Sequence, residues 1–204
     1  MLTVACVRVG TKYGRHYVDK LASMVERHLP LPHRFTCVGD AAAQGLTGWW
    51  AKMRLFDPAL RGDGRWLYFD LDTAIVADLT PLAAWGGEFG IAANFTRAAE
   101  HPTWPCRFGS CVMSLAPGFG GDVWRAFDAD RSGWMARCPK GDQQAVEALA
   151  PEAALLNDDL PPGYLAGWRD LGPDGPPAGA AVVCFGGSRS PANSPYRWVK
   201  EAWR

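Results

Sequence analysis

Apolar residues fall in short blocks along the chain, and their spacing alternates between two periods. Leu2 to Val9 is a continuous apolar, β-branched run that stops at Gly10, which predicts a buried strand and a turn. From Tyr17 to Leu29, the positions Val18, Leu21, Val25 and Leu29 keep helical spacing with Arg and Lys between them, and Pro30 ends the run. Arg34 to Val38 is a second short strand closed by Gly39-Asp40. Strand, helix and strand in that order predict a right-handed βαβ unit and a parallel sheet.

The pattern continues with a helix over Trp49 to Phe56, ended by Asp57-Pro58, and a turn at Arg61-Gly62-Asp63-Gly64. Arg65 to Phe69 is a third strand that runs directly into Asp70-Leu71-Asp72. Ligands of open α/β sheets collect at the carboxyl ends of strands, so chemistry is expected there. Phe89 to Ala93 and Cys111 to Leu115 read as strands, and Asp122 to Phe127 and Asp142 to Leu149 as helices. Ala154 to Leu156 reads as a short strand before Pro161-Pro162-Gly163, Leu171 to Gly179 as a loop, and Ala181 to Phe185 as a last strand. The tail, Tyr196 to Arg204, reads as a short helix packing Trp198 or Trp203. No internal repeat interrupts this order.

Composition narrows the class. With 204 residues, 48% of them hydrophobic, the chain is long enough for one globular domain, residues 1–204, and short for two. A 21% charged fraction with formal net charge +0 excludes a disordered chain and an electrostatically driven nucleic-acid binder, although a local basic patch stays compatible with it. Of the ten tryptophans, Trp49, Trp50 and Trp66 are expected in or near the core; others pack or line a pocket. The six cysteines show no C-x-x-C pair, and Cys6, Cys37 and Cys184 lie in apolar strand-like runs, so they read as small buried hydrophobes. The first residues lack a basic leader region and no apolar run reaches membrane-spanning length, which makes a cytoplasmic protein without a transmembrane segment the expectation. His16, His28, His33 and His101 have no partners at metal-ligand spacing.

The candidate chemistry starts with Asp70 and Asp72. Two carboxylates one residue apart, just beyond a strand, can reach one divalent cation, and Mg²⁺ and Mn²⁺ share coordination readily with phosphate oxygens. Such an ion would neutralise a departing diphosphate. Phosphatases of the haloacid-dehalogenase type also place Asp-x-Asp after a strand, and Asp158-Asp159 mimics their distal acidic pair. Against that reading, their motif usually follows the first strand, and Thr73 comes one residue too early for their threonine.

Trp50-Ala51-Lys52-Met53, Leu67-Tyr68-Phe69-Asp70-Leu71-Asp72-Thr73, Asp78-Leu79-Thr80-Pro81-Leu82, Ser110-Cys111-Val112-Met113 and Gly141-Asp142-Gln143 together resemble retaining glycosyltransferases of the glycogenin and lipopolysaccharide galactosyltransferase type, glycosyltransferase family 8. The resemblance runs from the first strand to Pro191, and the order and spacing of the blocks make it specific. It implies a single-domain GT-A fold: an α/β chain with a mixed, mostly parallel central sheet flanked by helices. It implies a nucleotide-sugar donor, usually a UDP-sugar, and an acceptor that is a glycan, a lipid-linked, a protein or a small-molecule hydroxyl. By position, Asp70 and Asp72 would hold Mn²⁺ or Mg²⁺, Asp72 more directly, with Asp70 also near the ribose. Tyr13 resembles the aromatic that stacks on uracil, or is an exposed loop residue. Lys52 resembles the lysine that approaches the donor phosphates or sugar, or is a solvated helix lysine. Asp142 and Gln143 match the block beside the donor sugar. There a carboxylate binds sugar hydroxyls, steadies charge at the anomeric carbon, acts as nucleophile, or caps a helix. Asn94 either contacts the donor sugar or ends a strand.

The resemblance also breaks. Many relatives carry Phe-His-Gly after the last strand, with the histidine as third metal ligand and a lysine at the diphosphate. Here the stretch is Phe185-Gly186-Gly187-Ser188-Arg189-Ser190-Pro191, with Gly186 in place of the histidine and Ser190 in place of the lysine. Arg189 can take over a phosphate contact. Gly109 stands where asparagine is frequent in the sugar and acceptor region. The expected alternatives are an ion held by Asp70, Asp72, diphosphate and water, a glycine loop that approaches phosphate, or a catalytically impaired protein that keeps nucleotide or glycan binding.

Overall fold

A computed structural model describes residues 1–95 and 106–204; His101 lies outside them. The opening unit is β1 (Leu2–Val7), α1 (Arg15–His28) and β2 (His33–Val38), with β1 and β2 parallel and paired from Leu2 with His33 to Val7 with Val38. A 3-10 helix, Gly48–Phe56, then leads to β3 (Trp66–Phe69) and, three residues on, β4 (Thr73–Ile75). The chain continues through α2 (Thr80–Ala84), β5 (Phe89–Ala93) and β6 (Phe108–Leu115). Next come α3 (Gly121–Asp128), α4 (Arg131–Arg137) and α5 (Asp142–Leu149). The last elements are β7 (Ala154–Leu155), α6 (Leu156–Asp159), β8 (Leu165–Gly167), β9 (Val182–Cys184) and α7 (Arg197–Ala202).

The main sheet has the order β2-β1-β3-β6-β5-β7, and β4-β9-β8 form a second sheet. Parallel pairing of β1 with β2 and β3, and antiparallel pairing of β6 with both β3 and β5, leaves β6 as the one reversed strand. The expected mixed, mostly parallel sheet is therefore what forms. Residues of β3 alternate between two cores. Leu67 and Phe69 pack with Val4, Leu21 and Val25 under α1, and Trp66 and Tyr68 pack with Ala5, Phe56 and Phe127 on the other face. A strand covered on both faces reads as a continuous apolar run, which is how Trp66–Phe69 looks in the sequence. Each fully buried large side chain here stabilises by about 1.5–3 kcal/mol.

Several expectations are revised. The helix over Trp49 to Phe56 is a 3-10 helix, whose period of three stacks Trp49, Lys52 and Leu55 in one row. Trp49 is 55% exposed and not in the core, because its indole lies against Gly141. Cys37 is exposed, since β2 is the edge strand and its pattern is mostly half-buried. β4, β8, α2 and α4 are too short to show a period. β6 begins at Phe108, ahead of Cys111. A bulge between Ile91 and Ala92 brings Gly109 opposite Ala92, where a Cβ would lie 2.7 Å from the Ala93 carbonyl oxygen. This close approach explains glycine at 109. No helix among the described residues is long and apolar enough to cross a membrane.

Candidate active site

Asp70, Leu71 and Asp72 link the last residue of β3 to the first of β4, so they join the two sheets. The Asp70 N–H donates to the Cys111 carbonyl at 2.8 Å, which anchors the turn to β6. The Asp70 carboxylate is then gripped by protein donors. Tyr68 Oη donates to Oδ1 at 2.5 Å, and Lys52 Nζ lies 2.8 Å from Oδ1 and 3.0 Å from Oδ2. Asp72 is 5% exposed and accepts a 2.7 Å bond from Tyr13 Oη at Oδ2; its Oδ1 makes no hydrogen bond among the described residues.

Lys52 reaches this turn from the 3-10 helix, which is pinned by the buried Arg54–Asp57 ion pair and by Arg54 Nε donating to the Ala42 carbonyl at 2.8 Å. Its ammonium also donates to Ser110 Oγ at 3.1 Å and stands 3.8 Å from Asp142 Oδ2. Asp142 occupies the first turn of α5. Gly141 caps that helix with φ 95°, a value that favours glycine, and a Cβ there would lie 2.7 Å from Trp49 Nε1. Backbone freedom at Gly141 thus aims Asp142 at Lys52. Asp142 is 3% exposed, and its Oδ2 is buried without a hydrogen-bond partner among the described residues. A buried carboxylate oxygen without a hydrogen bond is uncommon.

Electrostatics follow from this crowding. Three carboxylates, Asp70, Asp72 and Asp142, surround the Lys52 ammonium, and Lys12 adds a further positive charge toward Asp72. Burial, and then the Asp70 charge, push the Asp72 carboxyl up to about 6. Burial raises Asp142 as well, opposed by the Lys52 charge. Burial works against the Lys52 charge, but Asp142 and Asp70 outweigh it and hold its pKa above the ordinary lysine value. Burial and Asp70 keep the Tyr68 hydroxyl protonated, and burial and Asp72 do the same for Tyr13. The excess negative charge suits a cation. Among the described residues no three His, Cys, Asp or Glu form a self-sufficient metal group. Both Asp70 oxygens are held by protein donors, Tyr68 and Lys52 on Oδ1 and Lys52 on Oδ2, whereas Asp72 Oδ1 has no protein hydrogen bond among the described residues.

Of the residues singled out by sequence, Lys52, Asp70, Asp72, Tyr13 and Asp142 come together. Tyr13 is held by its hydroxyl on Asp72, with Tyr17 tilted against its ring at 4.9 Å. Gln143 follows Asp142 in α5, and its backbone oxygen accepts from Cys106 Sγ at 3.5 Å. Asn94 ends β5: its N–H donates to the Arg107 carbonyl at 2.7 Å and its amide to the Cys106 carbonyl at 3.0 Å. Arg189 lies apart from this cluster, stacked 4.9 Å from the centroid of Trp168 in a surface cavity shared with Phe185 and Tyr196. Thr73, the residue after Asp72, pairs with Cys184, and Gly186 follows two residues beyond that pairing. A Cβ at Gly186 meets no atom within 4 Å. Tyr68 and Ser110 join the site although sequence reasoning gave them no role. Their signal was proximity to Asp70 in chain and across the β3–β6 ladder.

No protein-family model and no curated protein matches the sequence. Solved structures do. An active-site mutant of LgtC is similar over 98% of this chain and 93% of its own, at 12% identity and TM-score 0.65. The galactosyltransferase LgtC in complex with donor and acceptor sugar analogs is similar over 98% and 91%, at 14% identity and TM-score 0.62. The glycosyltransferase GlyE of Streptococcus pneumoniae TIGR4 is similar over 100% of this chain and 60% of its own, at 14% identity and TM-score 0.63. At these identities the likeness establishes the fold: the chain has the GT-A-like fold of glycosyltransferases.

Proposed function

We propose that this chain is a glycosyltransferase that moves a sugar from a nucleotide-sugar donor, a UDP-sugar, to a hydroxyl-bearing acceptor with the help of Mn²⁺ or Mg²⁺. The observation that carries the reading is the Lys52 ammonium set between the buried Asp70 and Asp142 carboxylates, with Asp142 Oδ2 left unsatisfied, at the carboxyl end of β3. A glycosyltransferase fold puts a donor diphosphate and its sugar at this kind of address.

In this reading Asp72, through its unbonded Oδ1, would hold the ion, with Asp70 joining where it exchanges its Lys52 contact, and the ion would supply positive charge to offset the leaving diphosphate. Lys52 fixes Asp70 and adds a positive charge on the phosphate side. Asp142 Oδ2 accepts a donor-sugar hydroxyl or faces the positive charge that develops at the anomeric carbon, with Gln143 beside it. Tyr13 holds Asp72 in place and borders the base. Asn94 shapes the sugar end from β5, and Arg189 serves the phosphate or acceptor side. The departing phosphate takes the acceptor's proton, so no separate base is needed. The acceptor is a glycan, a lipid-linked, a protein or a small-molecule hydroxyl, and the protein is proposed to work in the cytoplasm as a single domain.

The test is UDP release from a panel of UDP-sugars with Mn²⁺, with and without sugar acceptors. Turnover that Asp142→Asn and Asp72→Asn each lower by about 10²-fold or more supports the reading. Gly186 favours a second reading, a protein that binds nucleotide or glycan without transfer. UDP binding with no turnover across the panel would select it.

A further inference from the structure

Cys6 and Cys37 are direct partners on the parallel strands β1 and β2, so their side chains leave the sheet on the same face. Neighbouring strands run about 4.8 Å apart, which lies inside the Cα separation of about 4.4–6.8 Å that a disulfide spans. The two thiols differ in access: Cys6 is fully buried, and Cys37 is exposed on the edge strand. Their surroundings differ in the same direction. Hydrogen bonding from Cys6 brings the Cys37 thiol down to about 7 against the effect of burial, with Arg8 and Arg15 adding positive charge. Cys6 is held well above the ordinary thiol range by that same bond and by burial. Accessible thiolates in electropositive surroundings are the reactive ones. A second pair, Cys111 and Cys184, is buried on both sides, and burial raises Cys184.

We propose that Cys6 and Cys37 are an oxidisable thiol pair that a hydroperoxide converts to a disulfide across β1 and β2, with Cys37 attacked first and Cys6 resolving. The Cys37 thiolate attacks the terminal oxygen of hydrogen peroxide. The O–O bond breaks, hydroxide leaves and takes up a proton as water, and Cys37 becomes a sulfenic acid. Cys6 sulfur then attacks Cys37 sulfur. The S–O bond breaks, and the hydroxyl departs with the Cys6 proton as a second water. Two thiols are oxidised and one peroxide is reduced to two waters. The strands are already in register, so the bond forms without a change of pairing. This inference is independent of the donor-site reading.

The experiment treats the reduced full chain with one equivalent of hydrogen peroxide, blocks free thiols with iodoacetamide after denaturation, and maps peptides without reduction. The expected product is a Cys6–Cys37 linked peptide that dithiothreitol releases, with Cys111 and Cys184 fully alkylated. In Cys6→Ala, Cys37 should accumulate as a dimedone-reactive sulfenic acid, and its alkylation rate at pH 7 should fall about threefold or more as the stabilising thiol is lost. Dimedone-reactive Cys37 in the wild-type chain without linkage to Cys6, linkage of Cys37 to any other cysteine, or an unreactive Cys37 would each overturn the proposal.

Discussion

The Lys52 ammonium lies 2.8 Å from the Asp70 carboxylate, and their side chains keep only 12% and 22% of their exposure. Two opposite charges held this close, away from water, depend on each other. Lys52→Met leaves Asp70 and Asp142 without their common counter-charge and should destabilise the fold by about 3–5 kcal/mol. Asp142→Asn should cost less, because Lys52 keeps Asp70. Urea unfolding at pH 7.5 measures both. A loss under about 1 kcal/mol for Lys52→Met would mean that water screens the cluster.

Asp72 carries a burden that a carboxamide would relieve. Burial raises its folded-state pKa to about 6, above the ordinary aspartate value, so between the two the folded protein holds more protons than the unfolded chain. The sign follows: stability falls as pH rises through this window, and the penalty is complete above the folded pKa. Asp72→Asn removes the penalty while retaining an oxygen to accept from Tyr13. The variant should be more stable than wild type by about 1–3 kcal/mol at pH 7.5 and show no such gain near pH 4. Equal stability of the two proteins at pH 7.5 would contradict the assigned burial. The gain should come with loss of Mn²⁺-dependent nucleotide binding.

Gly141 combines a left-handed backbone with contact to Trp49. Gly141→Ala should destabilise by about 1–3 kcal/mol and shift Asp142 away from Lys52. Thermal denaturation and turnover should fall together. Wild-type turnover in this variant would show that Asp142 does not depend on the α5 start.

A Cβ at Gly186 meets no atom within 4 Å, and the chain there has just left the β9 pairing with Thr73, so the position leaves room for an imidazole. Gly186→His should tighten Mn²⁺ binding in the presence of UDP by about tenfold or more, since a neutral histidine is a good ligand for such ions. Titration calorimetry reads this directly. Unchanged metal affinity would mean that residue 186 faces away from the ion.

Long periodic or fully apolar segments were legible in the sequence. β5 and α5 match the bounds read from Phe89 to Ala93 and Asp142 to Leu149, and β3 differs by one residue. The three-residue strands β4 and β8 left no period, and the pairing of β4 with β9 is what sets the segment before Gly186 beside Thr73. Cys37 misled because an apolar run says nothing about which strand ends at a sheet edge. Trp49 misled because a large indole can serve as a lid over a helix start. In the candidate site, Asp70, Asp72, Lys52 and Asp142 were readable as a resemblance of spaced blocks. Ser110 was not, because its partnership with Lys52 exists only once β6 lies beside β3, and Tyr68 was not, because its hydroxyl meets Asp70 only through the turn at the end of β3.

The central claim, a donor site whose ion arrives with the diphosphate, is tested most directly by calorimetric titration of UDP into the protein with and without Mn²⁺. The account predicts UDP binding that Mn²⁺ strengthens by about tenfold or more, weak binding of Mn²⁺ alone, and loss of the Mn²⁺ effect in Asp72→Asn. No UDP binding in either condition would contradict it.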